Sequence, residues 1–307
     1  MIFYDLAVKK DVIDNHYLNL FKENEKNIKD CPIETIKNFL SRNFKSILIE
    51  KPDKIKDLDS QYKELLKSLN KKDKSLARQL IGKIFNYDNF IEKKVKKYDA
   101  YDLAKKLDVR VCLYCNRQYT LIVKKGSRRN EHIIRPEFDH FFAKSEYPLL
   151  ALSIYNLIPS CHICNSTLKG KVEFRLEDHL HPYIDDCLPH YKYCYKPYDI
   201  ETILGNNTNL EVEIKTNDRK IRNSANLFKL EEIFSGHSEE LKDLFDIRYR
   251  FSESYLEQLF KTYKHLGISY EETYKIAFGV HYLESDFGKR PFSKLKKDIL
   301  KELQVIK

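Results

Sequence analysis

The 307-residue sequence predicts an α+β protein, a mostly helical chain with a small zinc-braced module of strands at its centre. Three observations carry that expectation. Apolar residues recur at helical spacing at both ends of the chain. Residues that favour strands crowd the stretch from Val109 to Ile134. Two Cys-x-x-Cys pairs, Cys112/Cys115 and Cys161/Cys164, enclose the segment 116–160. The expected organisation is a helical region over 1–108, the module over 109–185, and a mainly helical region over 186–307.

In the first region, Leu76, Leu80, Ile81, Ile84 and Phe85 of KSLARQLIGKIF fall on one helical face. The stretches from Ile33 to Phe44 and from Asp59 to Asn70 follow the same rule. Lys93, Lys94, Lys96 and Lys97 fit a solvated helix face. In the module, strand formers flank KKGSRRN, which predicts a hairpin with Gly126 at its tip. The segment from Ser160 to Gly170 predicts a short helix ended by glycine. Residues 186–230 carry little pattern, except that LEVEIK (210–215) alternates as a strand does. Two further helical stripes follow: Tyr255, Leu256, Leu259, Phe260 and Tyr263, then Leu295, Ile299, Leu300, Leu303 and Ile306. No segment repeats at a solenoid period.

Composition excludes several classes. The 21 Tyr and 18 Phe, spread along the chain, are incompatible with a disordered tail protein, and 8 Gly with 9 Pro exclude collagen-like sequence. The opening MIFYDLAVKK has no basic stretch followed by an apolar one, so no signal peptide is expected. No apolar run approaches the roughly 18–20 residues that span a bilayer. The expectation is a cytoplasmic protein without membrane contact. Net charge is +9, divided unevenly: 24 basic against 18 acidic residues over 1–108, 11 against 8 over 109–185, and 20 against 20 over 186–307. A basic first two thirds suits a polyanionic partner, and equally suits a lysine-rich solvated surface.

A two-residue spacer lets both thiolates of each Cys-x-x-Cys pair reach one ion at about 2.3 Å. Cys112, Cys115, Cys161 and Cys164 are therefore expected to hold structural zinc, with no coordination position left for chemistry. Disulfides are the alternative, which a reducing compartment disfavours. Cys31, Cys187 and Cys194 follow no pattern and fit packing roles.

Between the pairs, and running just past the second, lies RPEFDHFFAKSEYPLLALSIYNLIPSCHICNSTLKG, with Asp139-His140, Asn156, then Asn165 directly after the last cysteine, and Lys169. A histidine with an ordinary pKa near 6.5 is neutral at cell pH and accepts a proton, which makes His140 the candidate general base. Asp139 and Asn165 offer hard oxygens suited to Mg²⁺. Lys169, four residues after Asn165, is placed to reach a phosphate, or is a solvated lysine before a helix-ending glycine. Singly, these residues also fit a surface pair, a turn and a helix cap. His162 fits a neighbour of the zinc site, and His179 and His181 fit structural braces. Nucleotide-binding glycine motifs are absent, so no ATPase is expected in this chain.

Over roughly Val109 to Gly170, this order of residues resembles the HNH (ββα-metal) nucleases, in the branch braced by two Cys-x-x-Cys pairs. The resemblance implies a ββα-metal endonuclease module that hydrolyses phosphodiester bonds and leaves 5′-phosphate and 3′-hydroxyl ends. It implies His140 as general base, one catalytic Mg²⁺ (or Mn²⁺) on Asp139 and Asn165, and Asn156 as the amide that orients the histidine. Asn165 stands where many members carry histidine, a stronger ligand. Looser stretches, HPYIDD, NLFKLEEIFSGH and RPFSKLKKDI, are similar to the HNH (PtuB-like) subunits of Septu-type bacterial anti-phage systems. That similarity implies antiviral defence and a separate ABC-type ATPase partner, docked in part on the neutral C-terminal region. DNA is the favoured substrate and RNA, such as a tRNA loop, the alternative. A non-catalytic zinc-braced binding module is the other reading, and Lys124, Lys125, Arg128 and Arg129 would serve it equally well.

Overall fold

A computed structural model describes residues 1–92, 98–124, 132–197, 200–203, 210–250 and 253–306. The lysine run 93–97 and the hairpin tip with Gly126, Lys125, Arg128 and Arg129 lie outside the described residues, as do the side chains of Lys124, Tyr255 and Leu256. Six helices come first: α1 (Lys10–Lys29), α2 (Glu34–Ile49), α3 (Pro52–Ser68), α4 (Lys71–Ile84), α5 (Tyr87–Glu92) and α6 (Ala100–Leu107). Their ends have local causes. Pro52 opens α3, where a missing N–H costs nothing. The Asn70 side chain caps α4 by accepting from Asp73 N. Asp99 and Asp102 cap α6 reciprocally.

The buried stripe of α2 is Ile36, Phe39, Leu40, Phe44, Ile47 and Leu48. On α4 the buried face is Ala77, Ile81 and Ile84, while Leu76 is 37% exposed. Phe85 is buried as well and Leu80 packs against the core, so of the predicted face only Leu76 turns partly outward. Helix α2 packs on α1 and α3, and α2, α3 and α4 all touch the turn Pro148–Leu150, with α2 also touching Ile154–Asn156. The helical layer is the floor on which the central loop rests.

Among the described residues the strands form three two-stranded antiparallel sheets. Strands β1 (Val123–Lys124) and β2 (His132–Ile134) pair across the predicted hairpin. Strands β3 (Glu137–His140) and β4 (Leu157–Ser160) pair with Glu137 opposite Ser160 and His140 opposite Leu157. The segment Ile163–Lys169 then winds as a short π-helix and ends at Gly170 with φ of +49°, the glycine-ended helix that the sequence predicts. Strand β5 (Lys192–Pro197) pairs with β6 (Leu210–Lys215), whose burial alternates as the sequence predicted.

The C-terminal helices are α7 (Ile200–Ile203), α8 (Arg219–Leu227), α9 (Leu230–Ser235), α10 (Ser238–Arg250), α11 (Glu253–His265), α12 (Tyr270–Phe278) and α13 (Ser293–Glu302). Helix α13 lies along β5, where Asp298 and Glu302 accept from the Tyr193 and Tyr195 N–H groups. Its stripe of Leu295, Ile299 and Leu300, with Leu303 and Ile306 beyond, is buried inside the chain, so that stripe is core and not a docking surface. One apolar cluster runs from Met1 to Ile306. Among the described residues no helix is long and apolar enough to cross a membrane.

Two buried histidines stitch the central loop to its surroundings. His16 on α1 meets the Leu152 carbonyl at 2.7 Å through Nε2 and the Tyr98 hydroxyl at 2.9 Å through Nδ1. His181 reaches the Tyr155 carbonyl at 2.9 Å, the bracing role expected of it. Burial pushes His16 down to about 4 and His181 to about 3. Both lie below the unfolded value of about 6.5, so the unfolded chain takes up protons first as pH falls. The contribution is full above about pH 6.5 and is lost toward pH 4, at up to about 2.7 kcal/mol per pH unit for two groups. The urea midpoint should therefore drop steeply between pH 7 and 5; a midpoint that held constant would mean these histidines protonate without cost.

Candidate functional site

Each cysteine pair sits in a tight turn. In the first, Asn116 N–H donates to the Cys112 carbonyl at 2.8 Å and Asn116 takes φ of +52°. Its amide also holds the C-terminal region, donating to the Phe287 carbonyl at 2.9 Å. In the second, Cys164 N–H points at the Cys161 sulfur at 3.5 Å. All seven cysteines are free thiols, and the sulfurs of Cys112, Cys115, Cys161 and Cys164 lie within 4.8 Å of one another, all buried. Four sulfurs about 2.3 Å from a tetrahedral ion are about 3.8 Å apart, so the tetrad is placed to hold a metal such as zinc.

The second pair ends β4 and starts the π-helix, which sets Asn165 and Lys169 against one face of β3. Alternation along β3 puts Glu137 and Asp139 on that face. Two pairings result. Asn165 Nδ2 donates to Glu137 Oε2 at 2.8 Å, and Lys169 Nζ donates to Asp139 Oδ1 at 2.7 Å. Lys169 also donates to the His140 carbonyl, and its ammonium lies 4.7 Å from the centre of the Phe174 ring. The other Asp139 oxygen accepts from the Tyr114 hydroxyl at 2.6 Å. Burial, reinforced by the Asp139 charge, raises the Tyr114 pKa well above its ordinary value, so it remains a donor.

Lys169 thus points inward, 5% exposed, and not out toward solvent as a phosphate contact would require. Removing one member of such a buried pair leaves an uncompensated charge, which typically costs about 3–5 kcal/mol. Lys169→Met should lower unfolding free energy by that amount, and Lys169→Met with Asp139→Asn should recover part of it. Equal stability of Lys169→Met and wild type in urea titration would show that the pair carries no weight.

His140, on the opposite face, is 9% exposed. Its Nε2 lies 3.0 Å from the Ala151 carbonyl. A carbonyl only accepts, so Nε2 carries the proton and Nδ1 keeps a lone pair. Burial pushes its pKa down to about 4, so the ring is neutral at neutral pH. The Tyr87 ring from α5 meets it edge-on at 4.4 Å, while the Tyr87 hydroxyl donates to the Phe138 carbonyl at 3.1 Å.

Asn156 is fully buried and does not touch the imidazole in the way expected of it. Its Nδ2 donates to the Phe142 and Leu150 carbonyls, both at 3.0 Å, and its Oδ1 accepts from Phe142 N–H at 2.7 Å. It pins the loop between β3 and β4, and that loop supplies the Ala151 carbonyl. Its action on His140 is therefore indirect.

An ion on Asp139 and Asn165 would find hard oxygens. Each Asp139 oxygen retains a second lone pair, and among the described residues Asn165 Oδ1 has no hydrogen-bond partner. The donor set fits a divalent cation, with Lys169 as its competitor for Asp139. Two neighbours of the site, Glu137 and Tyr87, are not among the residues the sequence singles out. Strand alternation could have found Glu137, since it places residue 137 beside residue 139. No local signal marks Tyr87, because helix packing across 53 residues brings it to His140.

Among curated proteins, the chain is similar to the Septu protein PtuB of Bacillus thuringiensis, with 32% identity over 93 residues. The match covers 29% of this chain and 32% of that protein, so the chain spans about a third of the relative's length. No family model matches, and no solved structure matches.

Proposed function

We propose that the chain is a metal-dependent HNH endonuclease that hydrolyses nucleic-acid phosphodiester bonds, DNA in preference to RNA. The observation that carries this reading is His140, a neutral imidazole fixed by the Ala151 carbonyl with Nδ1 left to accept a proton. It stands next in sequence to Asp139, on a hairpin closed by Asn156 and braced by the cysteine tetrad. His140 takes a proton from the attacking water, Asn156 holds the loop that orients it, and the tetrad fixes the helix that carries Asn165. Asp139 and Asn165 would hold Mg²⁺ or Mn²⁺, which supplies positive charge for the phosphoryl oxygens and the leaving 3′-oxygen. The similarity to the Septu protein PtuB supports a role in antiviral defence, and the partner proposed for that role is an ABC-type ATPase.

The test is to incubate plasmid DNA and total RNA with the purified chain, alone and with the product of the neighbouring gene, in Mg²⁺ or Mn²⁺. Cleavage leaving 5′-phosphate and 3′-hydroxyl ends is expected. Salt-sensitive binding without any cutting would replace the nuclease by a zinc-braced binding module.

A further inference from the structure

We infer that Glu137 is a positioning residue, which fixes the Asn165 carboxamide so that its oxygen faces the cation position. The inference rests on the nuclease reading, in which Asn165 is a metal ligand. An asparagine ligates a hard cation through oxygen, yet its side chain can present either end of the amide. Asn165 Nδ2 meets Glu137 Oε2 at 2.8 Å, and a carboxylate only accepts. Turning the amide over would set two oxygens against each other. The carboxylate therefore selects one orientation and leaves Oδ1 free, as observed among the described residues.

Glu137 is itself held at both ends. Its backbone pairs with Ser160 in the β3–β4 ladder. Its other oxygen, Oε1, accepts from His162 Nδ1 at 2.8 Å. His162 lies between Cys161 and Cys164, so the contact ties the carboxylate to the cysteine turn. The pairings alternate along β3: each candidate ligand, Asn165 and Asp139, touches a residue that is not one. Lys169 offsets the Asp139 charge, whereas the Glu137 carboxylate, 38% exposed, accepts from Asn165, the Ser166 hydroxyl and His162 Nδ1. A negative partner on the amide N–H also draws electron density toward Oδ1, as outer partners do for ligating imidazoles. That compensates for asparagine's weakness where a histidine would bind more tightly.

The experiment measures Mn²⁺ affinity on the full chain without nucleic acid, by the electron paramagnetic resonance signal of free Mn²⁺. Partners of this kind typically contribute about 10–100-fold to metal affinity. Glu137→Ala should weaken Mn²⁺ binding by about that factor, with zinc content and thermal midpoint as checks on folding. Glu137→Gln, which keeps an acceptor but loses the charge, should fall between Glu137→Ala and wild type. Cleavage by both variants should recover as Mn²⁺ is raised. If Asn165→Ala weakens binding while both Glu137 variants match wild type, the positioning role is overturned and the nuclease reading stands. If wild type and Asn165→Ala bind Mn²⁺ equally, or neither binds, the Asn165 assignment falls and the Glu137 role with it.

Discussion

Cys112→Ser or Cys161→Ser is expected to unfold the centre of the protein and to abolish zinc binding, which should be about one ion per wild-type chain. Four buried thiols without a cation cannot all ionise. Hydrogen bonds from Cys112 pull Cys115 and Cys161 below the ordinary thiol value, while burial raises Cys112 and the surrounding sulfurs raise Cys164. A divalent ion removes that conflict, and its binding free energy becomes folding free energy. Structural zinc sites in small peptides supply about 10–16 kcal/mol, as much as the whole stability of a typical domain. The loss should spread, because Asn116 in the first cysteine turn also anchors Phe287, Phe292 and Lys294 of the C-terminal region. Metal analysis together with near-ultraviolet circular dichroism checks this. A serine variant that stayed folded without zinc would show that the tetrad does not carry the stability of the centre.

The tetrad was legible because cysteine spacing encodes its own geometry: two residues between thiols set their reach whatever surrounds them. The helices over 33–44, 59–70 and 74–85 were legible for a similar reason, since burial of one face leaves a local period. The partners of charged side chains were not. The spacing of Asn165 and Lys169 puts both on one helix face, and they do share one, but nothing local tells that this face meets β3. Lys169 consequently ends as half of a buried ion pair. Asn156 was legible as a polar residue at the hairpin, while its bonds to Phe142 and Leu150 depend on how the loop from Phe141 to Tyr155 folds back. Strand β5 was hidden because KYCYKP is sealed by α13 from a distant part of the chain, which erases the alternation that exposed β6.

His140→Ala should lower the cleavage rate by about 10²–10⁴, the usual contribution of a general base, while zinc content stays at the wild-type value. The pH dependence gives the sharper test. A general base works in its neutral form, and burial beneath Tyr87 keeps His140 neutral down to about pH 4. An unperturbed histidine with pKa near 6.5 would lose about 25-fold in neutral fraction between pH 7 and 5. The wild-type initial rate should instead be flat between pH 7 and 5, at a temperature low enough for the fold to survive the protonation pressure on His16 and His181. Tyr87→Ala admits water to the imidazole, so the acid limb should move up toward 6.5. Should His140→Ala cleave as fast as wild type, His140 is not the base. Should the wild-type rate already fall by half near pH 6.5, the ring is solvated during turnover, and the closed arrangement under Tyr87 is not the one that reacts.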